Sequence, residues 1–231
     1  MAIFINHRFI DRLLPKDDSK NIRYIFIGTF NPGAPDDSQL AEEERKQFEK
    51  IFVTKKYQKF NAVMNFYDRP PNRFWGIIDR LLHEDFYVAN GMKAKRVGSL
   101  KHYKEVERRS TFEQQQIFCS NHGILVTDFI RTINPKSFEG IYDNFDDRKI
   151  DGVVAKWNTD FLIDLINKSK TEKVFVNFQN NIHSIPNITS AVKKLSENIS
   201  SEITYLPSPS GSAGYTYEEL VTEWKQHISL I

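Results

Sequence analysis

The sequence predicts an α/β protein, a three-layer α/β/α sandwich with a central, mainly parallel four-stranded sheet. Three observations predict it. Four short apolar runs rich in β-branched and aromatic residues, at 24–27, 123–129, 173–178 and 202–206, have strand length and stop at Gly, Asn, Asp or Pro. The first three are too continuously apolar for a half-exposed sheet, so both faces must be covered, which is the parallel case. Helical patterns lie between the strands, and that alternation is the mark of a layered α/β fold.

The helices follow in order. Phe74, Ile77, Ile78, Leu81 and Leu82 recur at helical spacing behind Pro70-Pro71-Asn72, and Asn72 is placed to cap. Residues 156–166 put Trp157, Phe161, Leu162, Leu165 and Ile166 on one face, so a helix is expected there. The last helix, over 216–228, opens with the capping box Thr216-x-x-Glu219. Two segments read as insertions. Residues 36–59 are polar, with an expected helix at 39–52 and then Lys55-Lys56-Tyr57-Gln58-Lys59. Residues 91–109 hold seven basic side chains, among them Lys93, Lys95, Arg96 and Lys101, against Glu105 and Glu107. With no Gly/Ser linker, repeat or low-complexity tract, residues 1–231 are expected to form one domain.

Composition bounds the function. A chain of 231 residues that is 40% hydrophobic, with 18 Phe, supplies a real core and excludes a disordered class. A net charge of +2 permits a nucleic-acid partner without demanding one. The basic insertion, with His102 and Tyr103 inside it, has the chemistry of a groove that follows a phosphate backbone. The single cysteine, Cys119, excludes an internal disulfide framework and a four-cysteine metal site, and is expected to be a buried packing residue. His7, His83, His102, His122, His183 and His227 show no close pairing, so neither a metal nor a cofactor is expected. No signal-type start and no 18-residue apolar run occur, so a cytoplasmic protein is expected, without a membrane partner.

In open α/β sheets, ligands sit beyond the carboxyl ends of the strands. Three of the expected strands deliver polar groups there. The first runs into Gly28-Thr29-Phe30-Asn31-Pro32-Gly33, which sets one amide on a stiff, glycine-flanked turn. The second ends at Thr127 and Asp128, and the fourth runs into Leu206-Pro207-Ser208-Pro209-Ser210-Gly211. A further stretch, Asn65-Phe66-Tyr67 followed by Pro70-Pro71-Asn72, places an aromatic pair ahead of a helix cap.

In this order the motifs resemble the uracil-DNA glycosylase superfamily, nearest to its mismatch-specific uracil/thymine branch and its hypoxanthine (deoxyinosine) branch. Gly28 to Gly33 is similar to the Gly-Ile-Asn-Pro-Gly signature of the mismatch-specific enzymes. Asn72-Arg73-Phe74-Trp75 resembles their helix start, and Leu206 to Gly211, with Thr216-Tyr217-Glu218-Glu219-Leu220 and Trp224, resembles their closing loop and last helix. The resemblance implies that a nucleotide of DNA is flipped out and its N-glycosidic bond hydrolysed. It implies Asn31 as the holder of the attacking water, Thr29, Phe30 and Thr127 around the base, and Tyr67 or Phe66 stacking on it. It also implies that Pro32, Gly33, Asn72, Ser208, Ser210 and Gly211 meet the DNA backbone. The chemistry agrees: C1′–N cleavage builds positive charge on the sugar and negative charge on the base, and it calls for a positioned water and a dry pocket.

The chain departs from that pattern at three positions. Ser208 stands where the uracil branch has a histidine, and Ser212 where a bulky wedge belongs, with Tyr215 as a substitute. Asp128 stands where the uracil branch has an asparagine that reads the base edge. An ionised carboxylate only accepts hydrogen bonds, so it suits hypoxanthine N1–H or a cytosine amine better than uracil O4. Asp128 is equally suited to be a general base for the water, with Asn31 assisting. The insertions would give a wide rim for a bulky modified pyrimidine, as in phage DNA. Two other readings stay open: a non-catalytic DNA-binding module and an N-glycosidase acting on free nucleosides. A serine hydrolase and a phosphate-loop nucleotidase lack their glycine and Lys-Ser/Thr signatures respectively.

Overall fold

The computed structural model describes residues 4–7, 10, 22–30, 32–35, 72–82, 112–134, 147–178, 183–210 and 214–228, with backbone alone at 32–35, 79, 82 and 112–114. Both insertions, and the helix expected at 39–52, lie outside the described residues. The strands are β1 (Ile5–His7), β2 (Tyr24–Gly28), β3 (Pro32–Pro35), β4 (Ile124–Asp128), β5 (Ile130–Ile133), β6 (Val154–Trp157), β7 (Lys173–Val176) and β8 (Glu202–Tyr205). The helices are α1 (Phe74–Leu82), α2 (Phe112–His122), α3 (Asp147–Asp151), α4 (Thr159–Lys168), α5 (Pro186–Asn198) and α6 (Tyr217–His227).

The four apolar runs form the central sheet in the order β4-β2-β7-β8, parallel throughout. Every residue of β2 and β4 is buried, as strands covered on both faces must be. Alternation sends Ile25, Ile27, Leu125, Val174 and Val176 to one face, where α4 and α5 cover them. Phe26, Val126 and Phe175 point the other way, onto α1, α2 and α6. Phe26 is the hub of that second face, stacked on Phe175 and Trp224 and met edge-on by Phe74. Helices on both sides of a parallel sheet make the expected α/β/α sandwich. Cys119 is buried in the second cluster, where desolvation pushes its thiol pKa up to about 12, so it packs and does not react.

The expected capping box is present: Thr216 Oγ1 accepts from the Glu219 N–H (3.3 Å), and the Glu219 carboxylate accepts from the Thr216 N–H (2.7 Å). Asn72 Oδ1 accepts from the Phe74 N–H at 2.9 Å, capping α1. The start of α5 has no cap in its own sequence and borrows one. The Asp151 carboxylate, at the end of α3, accepts from the Ile188 N–H (2.6 Å), the Asn187 N–H (3.1 Å) and Asn187 Nδ2 (3.1 Å). Asp151→Ala strands the buried Ile188 N–H, so it should cost about 1–3 kcal/mol in urea unfolding, with an unchanged m-value.

Two expectations need correction. The helix expected from 156 begins at Thr159, and residues 154–157 are strand β6 instead. The turn between them is set at Asn158, whose N–H donates to the Phe129 carbonyl at 2.7 Å and ties the chain to the sheet there. The run at 123–129 is not one strand either. Gly123, at φ +63°, is the left-handed turn that closes α2, and Phe129 is a bend after which the chain enters β5. β5 belongs to a second four-stranded sheet, β3-β1-β5-β6, whose pairs are all antiparallel. Strands of three or four residues carry too little period to announce themselves; pairing makes them. Among the described residues no helix is long and apolar enough to cross a membrane.

Candidate functional site

The site is built where the two sheets meet, at the carboxyl edge of the parallel one. β2 and β4 run in register to their last pair, Gly28 beside Asp128. Asp128 is only 1% exposed, and its Oδ2 lies 2.6 Å from His7 Nε2. With a protonated imidazole this is a buried ion pair; with a neutral one, Nε2–H donates to the carboxylate. Either way a proton can pass between the two groups inside a dry site.

His7 reaches Asp128 because β1 threads the second sheet. Its edges pair Ile5 with Ile133 of β5 and His7 with Pro32 of β3. The Phe30 ring stands edge-on to the imidazole, with centroids 5.7 Å apart. Asn31 itself lies outside the described residues, but both of its chain neighbours meet His7: Phe30 through its ring and Pro32 through the strand register. The described residues on either side of Asn31 therefore both lie against His7.

Behind the pair, Asn158 fixes the backbone that carries it. Its Nδ2 donates to the Asp128 carbonyl (3.0 Å) and to Thr127 Oγ1 (3.3 Å), and its Oδ1 accepts from Arg131 Nε at 2.6 Å. Thr127, expected beside the base, thus turns to the face opposite Asp128 and is held there. Thr29 Oγ1 donates to Asp147 Oδ1 at 2.6 Å, which pins the turn to α3.

Ahead of the pair, the closing loop meets the start of α1. Asn72 and Ser210 form an isolated antiparallel bridge, and the Arg73 N–H donates to the Pro209 carbonyl at 2.9 Å. Ser208 Oγ accepts from the Ser210 N–H at 3.3 Å, and Trp224 Nε1 donates to the Pro207 carbonyl at 3.0 Å. The Arg73 guanidinium donates from Nη1 to the Tyr215 carbonyl, and burial holds its pKa below the ordinary arginine value. Tyr215, the substitute wedge, is half-buried against the second cluster. Asn72, Ser208, Ser210 and Tyr215 are therefore brought together at one edge. Phe66, Tyr67, Lys93, Lys95, Arg96, Lys101, Gly211 and Ser212 lie outside the described residues, and Pro32 and Gly33 are described only as β3 backbone.

Nothing local in the chain singles out three of these participants. His7 sits 121 positions from its partner. Asn158 is one of many asparagines. Arg73 reads as the second residue of a helix start. Only the alternation of Ile5, Asn6 and His7, buried-exposed-buried, carries a local trace of an inward-facing histidine.

The fold and site define a class: an α/β/α protein with a buried carboxylate–imidazole pair at the carboxyl edge of its parallel sheet. No family model and no curated protein matches the chain. Among solved structures the chain is similar to a solution NMR structure from Methanosarcina acetivorans, provisionally named a uracil DNA glycosylase. That likeness has 12% identity and a TM-score of 0.41 over 90% of this chain and 89% of that chain. It is too loose to assign an activity.

Proposed function

We propose that this protein is a DNA N-glycosylase, which takes a flipped nucleotide at the carboxyl edge of the parallel sheet and hydrolyses the bond between sugar and base. The observation that carries the reading is the buried His7–Asp128 pair, 2.6 Å apart, with Phe30 and Pro32, the chain neighbours of Asn31, against His7. In this reading Asn31 holds the water beneath C1′, and the His7–Asp128 pair takes its proton as the oxygen adds. The C1′–N bonding pair leaves with the base, and the base is protonated in turn. Excluding water around the pair strengthens every dipole aimed at the separating charges. The Ser208 and Ser210 hydroxyls and the Asn72 side-chain amide nitrogen supply donors for the flanking phosphates. The ordered motifs of the sequence support the same reading. Candidate bases are hypoxanthine, uracil or a modified cytosine, and no metal or cofactor takes part.

The test is base release, read by alkaline strand cleavage, on labelled duplexes carrying uracil, thymine opposite guanine, hypoxanthine, xanthine or glucosylated hydroxymethylcytosine. Release of one base, lowered about 10²–10⁴-fold in Asn31→Ala and in His7→Ala, is the expected result. One observation favours a second reading, a non-catalytic DNA-binding module: the His7–Asp128 contact also clamps the two sheets together. Salt-dependent DNA binding with no release of any base would select it. Release from free nucleosides, indifferent to salt, would select a nucleosidase.

A further inference from the structure

We infer that Asn177 reads the base: its side-chain amide holds a flat nitrogenous ring that shows a hydrogen-bond donor beside an acceptor. The inference deepens the glycosylase reading and rests on it for where that ring comes from.

Asn177 follows β7 directly, and its N–H donates to the Ile27 carbonyl at 2.9 Å, so the parallel ladder runs one residue past Val176. Val176 and Phe178 both lie in the first cluster, which puts Asn177 on the opposite face with Phe175. By the same alternation Gly28 follows Phe26 onto that face, and Asp128 follows Val126. Leu206, whose N–H donates to the Val176 carbonyl, ends the row on the fourth strand. The outermost row of the sheet therefore reads Asp128, Gly28, Asn177, Leu206.

Gly28 contributes no side chain, so among the described residues the row has a gap with a carboxylate on one side and an amide on the other. Their Cα atoms stand two strand spacings apart, about 9–10 Å. Asn177 is 4% exposed, yet neither Oδ1 nor Nδ2 has a hydrogen-bond partner. Buried amides are nearly always paired, because an unpaired one gives up its hydration and gains nothing in return. On the same row Asp128 is already engaged with His7.

An amide offers one acceptor and one donor side by side in a plane. Its complement is the N–H/C=O edge of uracil or hypoxanthine, or, with the amide turned over, the amine/ring-nitrogen edge of cytosine. Asp128, across the gap, accepts only. Blocking the ring N–H of a lactam base with a methyl group removes the donor that the Asn177 oxygen needs.

The experiment uses the full chain and its Asn177→Leu variant, which keeps the branched shape and removes both polar atoms. Calorimetry with 1-methyluracil and 9-methylhypoxanthine, which are blocked where the sugar would be, and with 1,3-dimethyluracil and 1,9-dimethylhypoxanthine is run beside thermal unfolding and the KM for base release. The expected result is at least tenfold weaker base binding and a raised KM in Asn177→Leu, with Tm higher by about 2–4 °C, and no binding of the dimethylated bases to wild type. A lower Tm with unchanged base binding would make the amide structural and overturn the inference. Unchanged KM in a protein that does release bases overturns it while leaving the glycosylase reading intact. Asn177-dependent base binding without any release does the reverse. Wild-type protein that neither binds nor releases a base overturns both.

Discussion

Asp128→Ala should abolish base release and also cost about 3–5 kcal/mol of stability, because it leaves the His7 imidazole in a dry site without its partner. Both side chains are closed to solvent, so water cannot replace the lost carboxylate at the 2.6 Å contact. Asp128→Asn separates the two effects. The amide keeps the size and still accepts from Nε2–H, so much of the stability should return, as read from urea midpoints at constant m. It cannot take up a proton, so base release should stay down by about 10²–10⁴-fold. Full release from Asp128→Asn would remove Asp128 from the proton path and leave it as a clamp between the sheets.

Trp224→Ala should be the most damaging core substitution, at about 3–5 kcal/mol. The indole is fully buried, lies parallel to Phe26 with centroids 5.9 Å apart, and is met edge-on by Phe74 at 5.9 Å. Its removal opens a cavity at the hub of the second face, where α1, α6 and the sheet converge. The variant should also loosen the closing loop, because Nε1–H is bonded to the Pro207 carbonyl. Trp224→Phe isolates that bond: it refills most of the volume but orphans the carbonyl, for about 1–3 kcal/mol. If the loop positions phosphates as proposed, Trp224→Phe should weaken DNA binding while free-base binding at the Asn177 gap holds. Equal DNA affinity for wild type and Trp224→Phe would separate the loop from DNA contact.

The parts of this fold that local chemistry dictates were legible in the chain itself. The runs around Ile25, Leu125 and Val174 had to be covered on both faces, and they became the parallel sheet. Thr216 with Glu219, and Asn72 ahead of Phe74, met backbone N–H groups two or three residues away, as their spacing required. The turn after Gly28 and the carboxylate of Asp128 fell at the same sheet edge for a similar reason: each ends a run whose direction the apolar pattern sets.

What the sequence could not express was every contact between distant segments. β1, β3, β5 and β6 have three or four residues each and acquire strand geometry from one another, so no period within them marks the second sheet. Asp151 caps a helix 36 and 37 positions away. His7 was one of six histidines scattered along the chain until β1 carried it to Asp128, and Asn177 was one of several asparagines in its neighbourhood until the ladder fixed its face. Local periodicity decides which face of an element is apolar, because it depends on neighbours in the chain. Which polar groups share a dry space depends on how the elements pack, and only the tertiary structure decides that.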